Sequence, residues 1–209
     1  MSAKRLCIRW SAAALSAVMM ATGVQALTSG VAADVSTKFC FRSVRSEPTK
    51  GVWSMTEDVF PYYDSEGAEN VVLTKRCTIT SASVWGAYGS ITSAAYSETV
   101  NIYADDGGPH TPGRLLSSQT LAGTDDNGNF TIPLEPITLD PGSYWVSVVA
   151  HVEYGEWYWT RSHDNEHRLH SGLWRTDATP NSPGQCYRWR SVLFCYHDGY
   201  GQYQLALAQ

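Results

Sequence analysis

The run His163-Asp164-Asn165-Glu166-His167 matches H-x-x-E-H. On a helix this spacing sets two imidazoles one turn apart on one face, with the glutamate beside a zinc ion as general base. Such a centre also needs a third ligand. No Glu follows Glu166, and His170 is the one nearby substitute. The Asp/Asn/Ser-rich surroundings, bounded by Gly172, read as a loop rather than a helix, so a metal-dependent hydrolase using His163, Glu166 and His167 ranks third among the functions considered. A serine hydrolase would place its nucleophile on a sharp turn, and the chain has no Gly-x-Ser-x-Gly. Glu98, Glu153, Glu156 and Glu166 could form carboxylate pairs, but separation in sequence says nothing of the separation in space that glycoside cleavage requires. No catalytic residue is assigned.

Asp105-Asp106 and Asp125-Asp126-Asn127-Gly128-Asn129 are oxygen-rich turns of the kind that can hold calcium. The same residues are what tight turns need for their own backbone geometry. The expectation is therefore no cofactor, with calcium the one ion these turns suit. The aromatic residues carry more. With 12 Tyr and 8 Trp, of which only Trp10 lies near the N-terminus, the chain has more rings than a sandwich of this size needs for its core. Trp157 and Trp159 fall on one face of a strand and Tyr158 on the other, so some ring should meet solvent. Trp157, Tyr158, Trp159 and Trp174 form the candidate ligand-binding surface, because aromatic faces give large contact area at low entropy cost.

These residues need elements to hold them. Residues 1–26 read as a signal peptide: Lys4, Arg5 and Arg9 precede an apolar, small-residue run, and Val24-Gln25-Ala26 is a small-x-small cleavage pattern. The run from Ser11 to Val24 is short of the ~20 residues that span a bilayer, so no membrane insertion is expected after cleavage. The protein should be secreted or periplasmic. Cleavage removes three of the 15 basic groups and none of the 20 acidic ones, which moves the net charge from −5 to −8. An acidic chain disfavours the phosphate contacts of nucleic-acid binding. Residues 27–37 read as a flexible N-terminus and 38–209 as a single domain.

Four cysteines stay after cleavage, and an even count in an exported chain reads as two disulfides with three possible pairings. Cys186 and Cys195 bracket a segment that suits a hairpin or compact loop, which leaves Cys40 for Cys77. Between them the chain reads as strands and turns. The first strand lies near Lys38 to Val44, and Pro61 to Asn70 reads as a loop. Val71 to Tyr88 is strand material with no strongly apolar face. In Thr99 to Ala104, Val100 and Ile102 point one way, Asn101 and Tyr103 the other. Pro133 allows Phe130 to Leu134 to be a strand only at an unpaired edge. Ser143 to Ala150 is the best central strand. Gln202 to Ala208 should close the sheet beside the first strand.

The run Val100-Asn-Ile-Tyr-Ala-Asp-Asp-Gly-Gly, the Pro112-Gly113-Arg-Leu-Leu after it, Leu139-Asp-Pro-Gly-Ser-Tyr-Trp-Val-Ser-Val and Trp157-Tyr158-Trp159 resemble jelly-roll domains of bacterial secreted and surface proteins. The resemblance covers about residues 71–160 and the last strand. It implies an all-β, antiparallel jelly-roll β-sandwich, and a carbohydrate-binding or cell-surface attachment module. The leading expectation is a non-catalytic binding module for carbohydrate or a cell-envelope ligand. The alternative is a structural or adhesive surface protein that binds another protein.

Overall fold

Short apolar/polar alternations punctuated by Gly, Asp and Pro make most of the described chain into strands. The computed structural model describes residues 38–43, 50–163, 171–176 and 186–209. In chain order the first elements are β1 (Phe39–Ser43), β2 (Lys50–Trp53), β3 (Met55–Glu57), a 3-10 turn (Pro61–Tyr63), β4 (Ser65–Leu73), β5 (Cys77–Val84), β6 (Gly86–Tyr88), β7 (Ser97–Ala104) and β8 (Leu115–Leu121). There follow β9 (Thr124–Asp126), β10 (Asn129–Leu139), β11 (Gly142–Val152), β12 (Trp157–His163), β13 (Leu173–Thr176), β14 (Arg190–Ser191), one helical turn α1 (Val192–Tyr196), β15 (Tyr200–Tyr203) and β16 (Leu205–Ala208). All of them lie in the compact unit Ser36–Gln209.

Sheet I runs β1-β16-β5-β10-β9; sheet II runs β14-β13-β4-β11-β7-β8, with β3 added to the far end of β11; sheet III runs β15-β12-β2, with β6 also on β12. Every pairing is antiparallel except β3 with β11. The fold is thus all-β with antiparallel sheets. The core draws on the inward residues of sheets I and II, among them Ile79, Phe130, Ile132, Leu205 and Leu207 from one and Val71, Val100, Ile102, Val146 and Val148 from the other.

Three strands turn a corner and continue in another sheet: β2 into β3 at Ser54, β5 into β6 at Trp85, and β15 into β16 at Gln204. A corner frees backbone groups from the ladder, and buried ones need partners. The Ser54 carbonyl accepts from Ala150 N (3.0 Å) and the Trp85 carbonyl from Thr160 N (2.8 Å). The Gln204 carbonyl accepts from the Trp159 indole N–H (2.9 Å).

Several expectations hold. Cys40 joins Cys77 and Cys186 joins Cys195. Val100 and Ile102 are buried, β11 is buried on both faces between β4 and β7, and β16 pairs with β1. Pro133 lies beyond the end of β9, which covers only Asn129 to Thr131, so its missing N–H interrupts no ladder on that side. Asn127 and Gly128 have φ of 53° and 93°, the pair of positive values a two-residue hairpin between β9 and β10 demands.

Two expectations are corrected. The segment Pro61 to Asn70 is not a loop throughout, because β4 begins at Ser65 and is a central strand of sheet II. It is central despite its polar composition, since its carboxylates and amide have partners, although the buried Ser65 hydroxyl has none among the described residues. Glu66 accepts from Asn101 and Tyr103, Glu69 accepts from Tyr203 N, and Asn70 donates to Ser143. Gly67 is required there: a Cβ would lie 2.8 Å from the buried Tyr203 ring. The second concerns Val71 to Tyr88. The buried side of β5 changes phase between Ile79 and Ala82, which is why no single alternation reads as apolar.

Candidate functional site

Of the four rings expected to meet a ligand, three are in the core. Trp157 and Trp159 are fully buried and Trp174 nearly so. Each indole N–H donates to a backbone carbonyl: Trp157 to Gly128 (2.9 Å), Trp159 to Gln204 (2.9 Å) and Trp174 to Trp53 (2.7 Å). Phe130 tilts against Trp157 at 5.0 Å and Tyr203 against Trp159 at 4.5 Å. The strand does present one ring outward, and it is the smaller one. Tyr158 is half-buried, and its hydroxyl donates to Glu156. Burial, and then the Glu156 carboxylate, raise the Tyr158 pKa.

The Glu156 carboxylate that Tyr158 bonds belongs to an open hollow of about 390 Å3 lined by Glu57, Phe60, Tyr63, Ser90, Ile91, Thr92, Tyr154, Gly155 and Glu156. Three segments build it. β3 and the 3-10 turn present Glu57, Phe60 and Tyr63, with Pro61 at the first position of the turn, where its fixed φ fits. The β6–β7 connection presents Ser90 to Thr92, and the β11–β12 turn presents Tyr154 to Glu156. The last two are stitched together. Gly89 N donates to Glu156 O (2.8 Å), Ser93 N to Tyr154 O (2.9 Å), and Glu156 N to the Thr92 hydroxyl (3.0 Å). Gly155 has φ of 100° and sits so close to the Ile91 carbonyl that a Cβ would meet it at 2.4 Å.

The rings in this hollow are wet: Phe60 is 38% exposed, Tyr63 38% and Tyr154 44%. Tyr63 meets Phe60 edge-on at 6.5 Å and Trp53 at 5.8 Å, and Trp53 in turn meets Tyr158 at 6.2 Å, so Phe60 and Tyr63 belong to one aromatic stack. Glu57 is buried, and one of its oxygens accepts from Gly155 N at 3.1 Å. Aromatic faces with carboxylate and hydroxyl acceptors among them can hold a ligand that has both apolar C–H faces and hydroxyl donors. Phe60, Tyr63 and Tyr154 were missed from sequence. The signal for Phe60 and Tyr63 was the run Val59-Phe60-Pro61-Tyr62-Tyr63, four apolar or aromatic residues around a proline, and Tyr154 had none.

The other candidates are placed as follows. His163 ends β12 opposite Tyr200, and the rest of the H-x-x-E-H run, with Glu166, His167 and His170, lies outside the described residues. The turn carboxylates serve turns and neighbours. Asp105 accepts from the Trp145 indole (2.7 Å), Asp106 from Arg114 N (2.8 Å), and Asp125 from the Tyr88 hydroxyl and Gly128 N (2.7 Å each). No helix among the described residues is long and apolar enough to cross a membrane. The two disulfides fit an oxidising, non-cytoplasmic compartment. Comparison with protein-family models, with curated proteins and with solved structures yields no match.

Proposed function

We propose that the protein is a secreted, non-catalytic β-sandwich of jelly-roll type that binds carbohydrate, free or in a cell envelope, at the hollow formed by Phe60, Tyr63 and Tyr154. One observation carries the reading: three partly exposed rings, two of them (Phe60 and Tyr63) joined to an aromatic stack and the third (Tyr154) on a backbone-tied turn, converge with two carboxylates in one concave site. Ordinary surface rings are scattered, whereas these converge. The signal-like N-terminus and the disulfides support export. A glycan array probed with the protein, then titration of the strongest ligand, tests it. Tyr154→Ala and Phe60→Ala should each weaken binding by roughly 1–3 kcal/mol, a stacking magnitude taken from base–aromatic contacts, with Tm unchanged. Full binding by both variants would move the ligand elsewhere.

A protein partner is the second reading. Ile91 in the hollow's lining is 71% exposed, and Val59, next to Phe60 in the chain, is 52% exposed; exposed apolar surface of this kind suits protein contact. Ile91→Asp discriminates, since it would abolish contact with a flat protein face and spare a sugar stacked on Tyr154.

A further inference from the structure

The outer face of sheet II carries a second, chemically opposite site. Its anchor is Glu66 on β4, nearly buried, which accepts from Asn101 (3.2 Å), the Tyr103 hydroxyl (2.9 Å) and Arg175 Nε (2.9 Å), with Arg175 Nη2 on the same carboxylate. Arg175, so held, lies over the Trp189 ring at 4.7 Å, and Tyr103 meets that ring edge-on at 6.2 Å. Trp189 belongs to the run Tyr187-Arg188-Trp189-Arg190 inside the loop closed by Cys186–Cys195. Rings and guanidinium groups alternate there. Arg188 lies over the Tyr187 ring (5.6 Å) and Arg190 over Phe194 (6.0 Å), and among the described residues neither forms an ion pair.

Two hollows of about 380 Å3 flank Trp189 and share Thr111. One offers Arg190 with the Ser171 and Ser191 hydroxyls; the other offers Arg188, Arg175 and the Tyr187 ring. Among the described residues neither is lined by a carboxylate, although the whole chain is acidic. Each therefore repeats one set of groups: a guanidinium, a hydroxyl and a wall of Trp189.

We infer that this disulfide-closed loop binds an acidic polysaccharide with a carboxylate on each sugar unit, two successive units occupying the hollows on either side of Trp189. Guanidinium groups pair bidentately with carboxylates, the hydroxyls serve the sugar's own hydroxyls, and the repeated hollow matches a repeating charged polymer. Thr111 donates to Gly107 O (2.8 Å) and the Ser171 and Ser191 hydroxyls bond each other (2.7 Å), which leaves their oxygens as acceptors for sugar hydroxyls that an acidic peptide would not supply. The site shares no residue with the aromatic hollow and goes beyond the reading given above.

Titration calorimetry with oligogalacturonate, a neutral galactan of similar length and poly-glutamate tests it. Oligogalacturonate should bind, and its affinity should fall as salt rises from low to physiological ionic strength. Arg188→Ala/Arg190→Ala should lose roughly tenfold or more, while Tyr154→Ala binds normally. Both arginines are exposed, so the double variant keeps its fold, which an unchanged Tm verifies. Absence of oligogalacturonate binding, equal binding of poly-glutamate, or full binding by the double variant would overturn the inference. Loss in Tyr154→Ala alone would also overturn it, by assigning the ligand to the aromatic hollow. Failure of neutral glycans on the array leaves this test intact.

Discussion

Gln119 hydrogen-bonds the backbone of Glu135 twice, its Oε1 accepting from Glu135 N at 2.8 Å and its Nε2 donating to Glu135 O at 3.1 Å. β8 is the last strand of sheet II, and β10 has no neighbour on one side past Thr131. One amide side chain thus satisfies both groups of an open edge and ties the rims of two sheets. Gln119→Ala should cost about 1–2 kcal/mol in urea unfolding, and an exposed edge of this kind is a template for pairing. A rise in dimer by light scattering at high concentration should accompany it. Unchanged stability would show that water serves Glu135 equally well.

The tryptophans of β12 and their intervening tyrosine should separate in mutagenesis. Trp157→Ala and Trp159→Ala each empty a fully buried site and are expected to lose ~3–5 kcal/mol. Tyr158→Phe removes only the contact with Glu156 and should change stability by less than about 1.5 kcal/mol. Denaturant unfolding of the three variants measures the contrast, and similar losses in all three would contradict it.

Gly67 is tested by one methyl group. Because Tyr203 is fully buried and hydrogen-bonded through its hydroxyl to Leu173 O (3.1 Å), its ring has no room to retreat. Gly67→Ala should destabilise by about 1–3 kcal/mol, and Tyr203→Leu in the same chain should recover part of that loss. Additive losses in the double variant would show that the clash is not the cause.

Stability should fall on mild acidification through His151. Its two ring nitrogens bond the Thr56 hydroxyl (2.7 Å) and the Thr99 hydroxyl (2.6 Å), and burial lowers its pKa below 6.5 although Asp58 and Asp64 pull the other way. As pH falls the unfolded chain takes up this proton before the folded one does. The contribution is therefore complete above about pH 6.5 and is lost from there down towards the folded pKa. Melting curves between pH 7.5 and 5 should show a steeper decline for the natural protein than for His151→Gln. Parallel curves would remove His151 from the pH response.

What could be read from sequence was local. Val100 and Ile102 sit on a clean alternation, Asn127-Gly128 is a hairpin turn by itself, and a separation of nine between Cys186 and Cys195 closes easily. β4 was illegible because the partners that make its polar residues tolerable are distant: Glu66 needs Arg175, and Glu69 needs Tyr203. Trp157 and Trp159 misled for the opposite reason. Bulk suggested a ligand, but the groups that accept their N–H bonds come from distant parts of the chain, Gly128 from the β9–β10 hairpin and Gln204 from a corner. The aromatic hollow gathers rings from three separate connections, so no single stretch announces it.

The corners at Ser54, Trp85 and Gln204 also bear on how the molecule comes apart. At each of them a single run of backbone is rigidly engaged in two sheets, so a pull that strips β2 from sheet III tugs β3 off sheet II, and peeling β15 disturbs β16 between β1 and β5. No sheet owns its strands outright. Loss of any one should spread to the others without a resting point, giving a single calorimetric transition, a shared fate for amide exchange protection in all three sheets, and few partly open forms for a protease to seize.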